Sequence, residues 1–441
     1  MSLRRLYAPV LIAAFLSSGA WSANDNDPSV KQGWTVNPIP SMSYDTDFGL
    51  MAGGILDLTC YGQDYPKYRH RLCLEALTYS KHASYFMISY DSRYLIPGIR
   101  TSFRANLDNN PLYWFYGFNG AVSDYDPGKN CNRKDGIAYY SMDRVYLNTR
   151  LEFSGPLSAH LNWTSRISYW HYWTKELNWE GYDHTNTLFR YYRQLGLIED
   201  AESDGGDVIE FLAGLRYDTR NHEYAPSRGI YADFNVALAP DLFSTGYDYL
   251  KLAARFRQYI SLGTERLVFA YSMAYQGTVA GNQPFYTSSY ITHFKPAYGL
   301  GGVTTLRGVL YNRIVGDDYL WGNFEFRARL IDATILKRRV FGVVSPFFDA
   351  GAIVRPFRFD RQAQALYYDY TAQCVTDNVT PAPYDRYRSS LLDKARELHM
   401  AWGIGGQLVI DYNFIPTITF GIPFDKRDGD FGLYMVLDYI F

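Results

Sequence analysis

Long stretches of this chain alternate apolar and polar residues with a period of two, and few folds can use such alternation at this length. In 230–238, Ile230, Ala232, Phe234, Val236 and Leu238 form one face against Tyr231, Asp233, Asn235 and Ala237. In 250–262 the apolar set is Leu250, Leu252, Ala254, Phe256, Ile260 and Leu262, opposite Lys251, Arg255, Arg257 and Tyr259. In 320–330, Leu320, Gly322, Phe324, Phe326, Ala328 and Leu330 oppose Trp321, Asn323, Glu325, Arg327 and Arg329. Segments 145–153 and 267–275 behave alike.

Alternation of this kind puts one side of each strand in an apolar medium and the other in a polar one. A soluble sandwich achieves it with strands of about five or six residues. These run longer and carry Arg, Lys and Glu mid-strand. That suits an all-β, transmembrane antiparallel β-barrel, with lipid outside and a hydrated or salt-bridged lumen inside. Backbone groups left unpaired in hydrocarbon are too costly, so such strands must close into a ring. At roughly 25 residues per strand and connection, ~420 residues give about sixteen strands.

Composition fits. Aromatic residues make up 17% of the chain, and Tyr, at 41 residues, supplies most of them. This excess reads as girdles at the two membrane interfaces. The formal charge is −2, so nothing suggests nucleic acid as a partner. No run of about 20 apolar residues announces a membrane helix.

The N-terminus has the layout of a secretory signal peptide over 1–22: Arg4 and Arg5, an apolar core from 6 to 16, then Ser17, Ser18, Gly19 and Ala20. Residues 23–39 read as a short periplasmic lead, and 40–441 as the barrel domain, with strand one beginning at 40–44. No compositional break marks a second domain. Leu433, Met435, Leu437, Tyr439 and Phe441 alternate to the last residue, as expected of a closing strand. The stretch 357–397 reads as a large surface loop with a short helix at 389–399, placed outside the cell. Of the four cysteines, Cys60 and Cys73 flank a polar stretch and are candidates for one disulfide, with free thiols as the alternative. No spacing suggests a metal site, and no cofactor has support.

Four segments carry a resemblance. They are YDTRNHEYAPSRG (217–229), LGGVTTLRG (300–308), WGNFEFRARL (321–330) and FFDAGAI (347–353). In order and spacing they resemble the bacterial surface antigen family, the BamA- and TamA-like outer-membrane assembly-factor and transporter barrels. Val309 stands where that family usually has an aromatic. The resemblance implies that the loop carrying Arg307 and Gly308 folds back into the lumen, and that Glu325 and Asp349 hold the guanidinium on the inner wall. A guanidinium between carboxylates in a confined space is a strong, geometrically specific lock. Asp218, Arg220 and Gly229 match a strand-turn motif, or else simply form an ion-paired turn at a strand end.

The family's periplasmic client-handling domains find no room in this chain. The implied function is assistance to the assembly or export of outer-membrane or surface polypeptides, in the outer membrane of a Gram-negative bacterium. Expected partners are outer-membrane lipid, client polypeptides or accessory envelope proteins; a homodimer through the lipid face is also permitted. A pore or channel and a structural scaffold are the alternatives. The eight histidines form no H-E-x-x-H and no G-x-S-x-G occurs, so an enzyme is not expected.

Overall fold

A computed structural model of the chain describes residues 32–62, 68–132, 134–291, 297–335, 338–412 and 414–437. Sixteen antiparallel strands close into one barrel. They are β1 (Gly33–Asp45), β2 (Gly49–Tyr61), β3 (Tyr68–Tyr79), β4 (Ser84–Ile96), β5 (Ile99–Trp114), β6 (Ser141–Pro156), β7 (Leu161–Lys175), β8 (Gly205–Asp218), β9 (Gly229–Ala239), β10 (Asp248–Leu262), β11 (Thr264–Asn282), β14 (Asp318–Ile335), β15 (Arg338–Arg355), β16 (His399–Ile410), β17 (Pro416–Pro423) and β18 (Gly432–Leu437). A small hairpin, β12 (Tyr290–Ile291) and β13 (Ala297–Tyr298), lies in the connection between β11 and β14.

The longest connections all lie at one end of the barrel. Those at 97–98, 157–160, 219–228 and 263 are short, whereas those at 115–140, 176–204, 283–317 and 356–398 are long. Outer-membrane barrels keep short turns at the periplasmic end and long loops outside, so this asymmetry orients the molecule.

The period-two segments fall inside β6, β9, β10, β11 and β14. Their apolar sets face outward: Phe234, Leu238, Leu320, Phe326 and Leu330 are all exposed on the barrel's outer surface. The opposite faces line the lumen with ion pairs, including Arg255 to Asp233 at 3.1 Å and Arg166 to Glu210 at 3.5 Å.

Four expectations need correction. Strand one begins at Gly33, not at 40, so the lead is shorter than 23–39; the signal segment 1–22 lies outside the described residues. The aromatic excess is only partly girdle. Tyr113, Trp114, Phe115, Tyr116, Phe118, Tyr140, Tyr146, Trp170, Tyr172, Phe189, Tyr192, Tyr249, Phe285, Tyr286, Tyr290, Tyr298 and Phe357 form one buried cluster, built from long loops and the inward faces of strand ends. A tyrosine tolerates either setting because its ring is apolar and its tip polar. The surface loop holds two helices, Phe359–Thr376 and Tyr384–Ala395, rather than a single one at 389–399.

Finally, Cys60 and Cys73 are free. Cys60 pairs with His70 and Cys73 with Asp57, so the two are offset by three positions and point to opposite faces of the wall. At about 3.4 Å per residue that offset exceeds the ~7 Å Cα limit for a bridge.

Candidate functional site: the inward loop and the seam

The part 297–317 of the connection between β11 and β14 enters the lumen instead of standing clear of the barrel. Leu300, Leu306, Val309 and Ile314 are fully buried against Tyr319, Trp321, Ile353 and Ala401 of the inner wall. Val309 thus fills an apolar site where an aromatic would be larger. The chain reverses sharply at Gly301 and Gly302, with φ of 126° and 76°. A side chain at Gly301 would meet the Leu310 carbonyl oxygen at 1.9 Å, so only glycine permits this turn.

At the tip, Arg307 is 1% exposed. Its backbone N–H and Nε both donate to Asp349 Oδ2, at 3.0 and 2.8 Å, and Nη2 donates to Asp349 Oδ1 at 2.7 Å. Nη1 donates to Glu325 Oε1. The Glu325 carboxylate is shared, since Arg327 Nε donates to its other oxygen at 2.8 Å. The guanidinium also lies over the Phe347 ring, 3.6 Å from its centroid. Two carboxylates thus face two guanidinium groups, so the buried site carries no excess charge, and a fork geometry fixes its orientation. The sequence-predicted residues Arg307, Glu325 and Asp349 meet in one place.

Gly308 makes the approach to the far wall. Its φ is 100°, and a Cβ there would lie 2.6 Å from the Gly421 carbonyl carbon of β17. Its N–H donates to the Tyr434 hydroxyl of β18 at 3.2 Å. Three residues on, the Tyr311 N–H donates to Asp47 Oδ1 at 3.1 Å, in the turn between β1 and β2. Between them, the Leu310 N–H donates to the Asp428 carbonyl at 2.8 Å. The loop therefore touches both sides of the place where the barrel closes.

That seam is thin. Among the described residues, β1 and β18 share one register pair, Asp45↔Tyr434, whereas β17 and β18 pair from Pro416↔Leu437 to Gly421↔Gly432. The Thr46 N–H adds a bond to the Leu433 carbonyl at 3.1 Å. Beside it, burial pushes the Asp47 carboxyl well above the usual range, and the neighbouring Asp45 carboxylate pushes it further. Asp47 Oδ2 has no hydrogen-bond partner.

The outer mouth is closed by the same loop acting with its neighbours. Arg313, 1% exposed, donates to three carbonyls on two other loops: Arg427 at 2.9 Å, Gly120 at 3.0 Å and Ser123 at 2.9 Å. Asn312 Nδ2 donates to the Trp114 carbonyl at 2.9 Å. Asn119 ties in the helical loop through the Phe357 N–H at 2.7 Å.

The remaining sequence-predicted residues lie apart. Asp218 and Arg220 sit in the short turn at the opposite end, paired with each other at 2.7 Å, and Arg220 Nη1 also donates to the Glu223 carbonyl. Gly229 closes that turn, where a Cβ would meet the Thr219 carbonyl oxygen at 2.5 Å. Leu437 ends the described part of β18, opposite Pro416; Tyr439 and Phe441 lie outside the described residues. Sequence reasoning missed Tyr434, Asp47, Arg313, Phe347 and Gly421. A lone Tyr, Asp or Gly in a strand or short turn carries no pattern, and an arginine five residues beyond the motif reads as a solvated loop residue.

A closed sixteen-stranded barrel with an arginine-tipped loop fastened inside defines a class of outer-membrane protein. Residues 75–434 match the Omp85 superfamily domain, and the chain belongs to that superfamily. It is an outer-membrane protein of the Gram-negative envelope. Among solved structures it is similar to BamA from Haemophilus ducreyi lacking POTRA domains 1–3, at 14% identity and a TM-score of 0.55, covering 97% of this chain and 76% of that one. It is also similar to CdiB from Acinetobacter baumannii, at 12% identity and a TM-score of 0.47, over 92% of this chain and 60% of that one. CdiB from Escherichia coli gives 11% identity and a TM-score of 0.49, over 91% and 62%. No curated protein matches.

Proposed function

We propose that this barrel assists the insertion or export of outer-membrane or surface polypeptides, acting at the seam between β1 and β18. The seam itself carries the reading. Neighbouring strands elsewhere are joined by runs of paired residues, whereas here, among the described residues, one register pair is backed by a loop that contacts both sides. An edge that is not fully paired offers its free N–H and C=O groups to another strand. Membership of the Omp85 superfamily supports the same reading, since its barrels are insertion and transport factors. In this account Arg307, Glu325 and Asp349 hold the loop in the lumen, residues 1–22 direct export, and the Asp218–Arg220 turn is structural.

A diffusion pore fits less well, because the buried aromatic cluster and the inward loop fill the outer half of the lumen. The test is depletion of the protein in its own cells, followed by quantitative profiling of the outer membrane. A specific loss of barrels or surface polypeptides is expected. An unchanged outer-membrane inventory overturns the reading.

A further inference from the structure

Three guanidinium groups surround the ring of Tyr231 on the lumen wall, but only two carboxylates pair with them. The Cζ atoms of Arg220, Arg257 and Arg255 lie 4.7, 5.4 and 5.7 Å from the ring centroid. Arg220 pairs with Asp218 at 2.7 Å and Arg255 with Asp233 at 3.1 Å. Among the described residues Arg257 has no carboxylate within ion-pair distance, and its Nε has no hydrogen-bond partner. Glu325 is already engaged by Arg307 and by Arg327, whose guanidinium lies 5.6 Å from the Tyr259 ring.

The ladder brings these groups together. Arg255, Arg257 and Tyr259 take alternate positions on the inward face of β10, and Arg257 stands opposite Tyr231 of β9 and Ser272 of β11. Tyr231 follows the short turn 219–228, and Tyr259 precedes the short connection at 263, so the cluster lies toward the periplasmic end. The outer mouth is closed by loops, so access to it is from the periplasm.

Arg257 is 7% exposed and Tyr259 2%. The Tyr259 hydroxyl and Arg255 Nη2 also lack partners. Water can satisfy such donors but leaves the extra cation uncompensated, which is costly in a buried place. The Tyr231 ring offsets part of that cost. The site therefore offers donors only and carries one surplus positive charge. A carboxylate matches both properties, since it brings one negative charge and two oxygens that fit the guanidinium fork. A phosphate monoester brings nearly two negative charges and overshoots.

We propose that Arg257, flanked by Arg255 and Tyr259, is a binding site for one carboxylate group that enters from the periplasmic end of the lumen. The group belongs to a small organic acid or to an acidic side chain of an extended polypeptide.

The test titrates the full chain, in detergent micelles at constant ionic strength, with acetate, a capped Gly-Asp-Gly tripeptide and its Gly-Asn-Gly counterpart. Binding is read by saturation-transfer NMR. Saturable binding of a carboxylate is expected, at least about tenfold weaker for the Asn peptide and, for either carboxylate, in Arg257→Gln. Arg100→Gln, which breaks a pair with Asp91 in β4 and β5, should leave binding unchanged. Tighter binding of the Asp peptide than of acetate identifies a polypeptide as the source, and equal or weaker binding identifies a small acid. No saturable binding, or unchanged binding in folded Arg257→Gln, overturns the proposal. Tyr259→Phe removes a hydroxyl that has no partner and should fold. It should weaken binding severalfold, and it decides the matter if Arg257→Gln does not fold, unchanged binding then being the refutation. None of these outcomes bears on the seam, whose test is the depletion experiment.

Discussion

Arg307→Ala removes the group on which the inward loop is fastened, and its cost can be worked from the geometry. The side chains of Arg307, Glu325 and Asp349 are at most 2% exposed. Removing one partner of a buried ion pair leaves the other charge uncompensated and costs about 3–5 kcal/mol. Glu325 keeps Arg327 at 2.8 Å, so the loss falls mainly on Asp349, which keeps only the backbone N–H of residue 307. The lower part of that range therefore applies. At 1.4 kcal/mol per factor of ten, the population of the undocked loop rises on the order of 100-fold or more. Amide exchange at Gly308, Leu310 and Tyr311, whose N–H groups donate to Tyr434, Asp428 and Asp47 outside the loop, should accelerate by that factor. Arg307→Lys keeps the charge but not the fork, and should fall between the two. If exchange at these amides in Arg307→Ala matches the wild type, the guanidinium does not hold the loop and the reasoning fails.

Gly308→Ala should undock the tip, because φ of 100° strains an alanine by about 1–3 kcal/mol and its Cβ would crowd Gly421. Faster tryptic cleavage after Arg307 in the folded barrel is the expected readout, and resistance equal to wild type would count against it. Asp47 sets a pH dependence. Its folded-state pKa is raised, so its stabilising contribution is full below the unfolded value of ~4 and is lost as pH rises through the folded one. Asp47→Asn keeps an oxygen for the Tyr311 N–H, and should raise thermal stability near neutral pH while changing it little at pH ~4; equal shifts at both would contradict this. With Cys131 and Cys374 replaced by serine, oxidised and reduced protein should run alike on gels, because Cys60 and Cys73 face opposite sides of the wall. A reducible mobility shift would mean that the β2–β3 register is wrong.

Much of this was legible in the sequence because two different media act on each strand. Lipid enforces Phe234, Leu238, Phe326 and Leu330 on one face, and the lumen permits Asp233, Arg255, Glu325 and Arg327 on the other, so the period survives without any homologue. The first strand was harder to place. Its lipid-facing row includes Pro38, which read as part of the lead, and Pro40, which read as the strand's start, because proline suits a strand only where one side goes unpaired. The aromatic plug was harder still. An inward tyrosine such as Tyr146 or Tyr172 alternates just as a girdle tyrosine does, and only the packing of distant loops tells them apart. In the site, Arg307, Glu325 and Asp349 were legible through motifs in order. Tyr434 and Asp47 were not, since their roles come from where the ring happens to close.

The lumen of this lipid-embedded sixteen-strand barrel is occupied by its own fastened loops. Recording current across planar bilayers holding the purified wild-type protein tests this most directly. A membrane that stays silent, or shows only brief openings, is predicted. A steady ohmic conductance of the kind an open porin gives would contradict it.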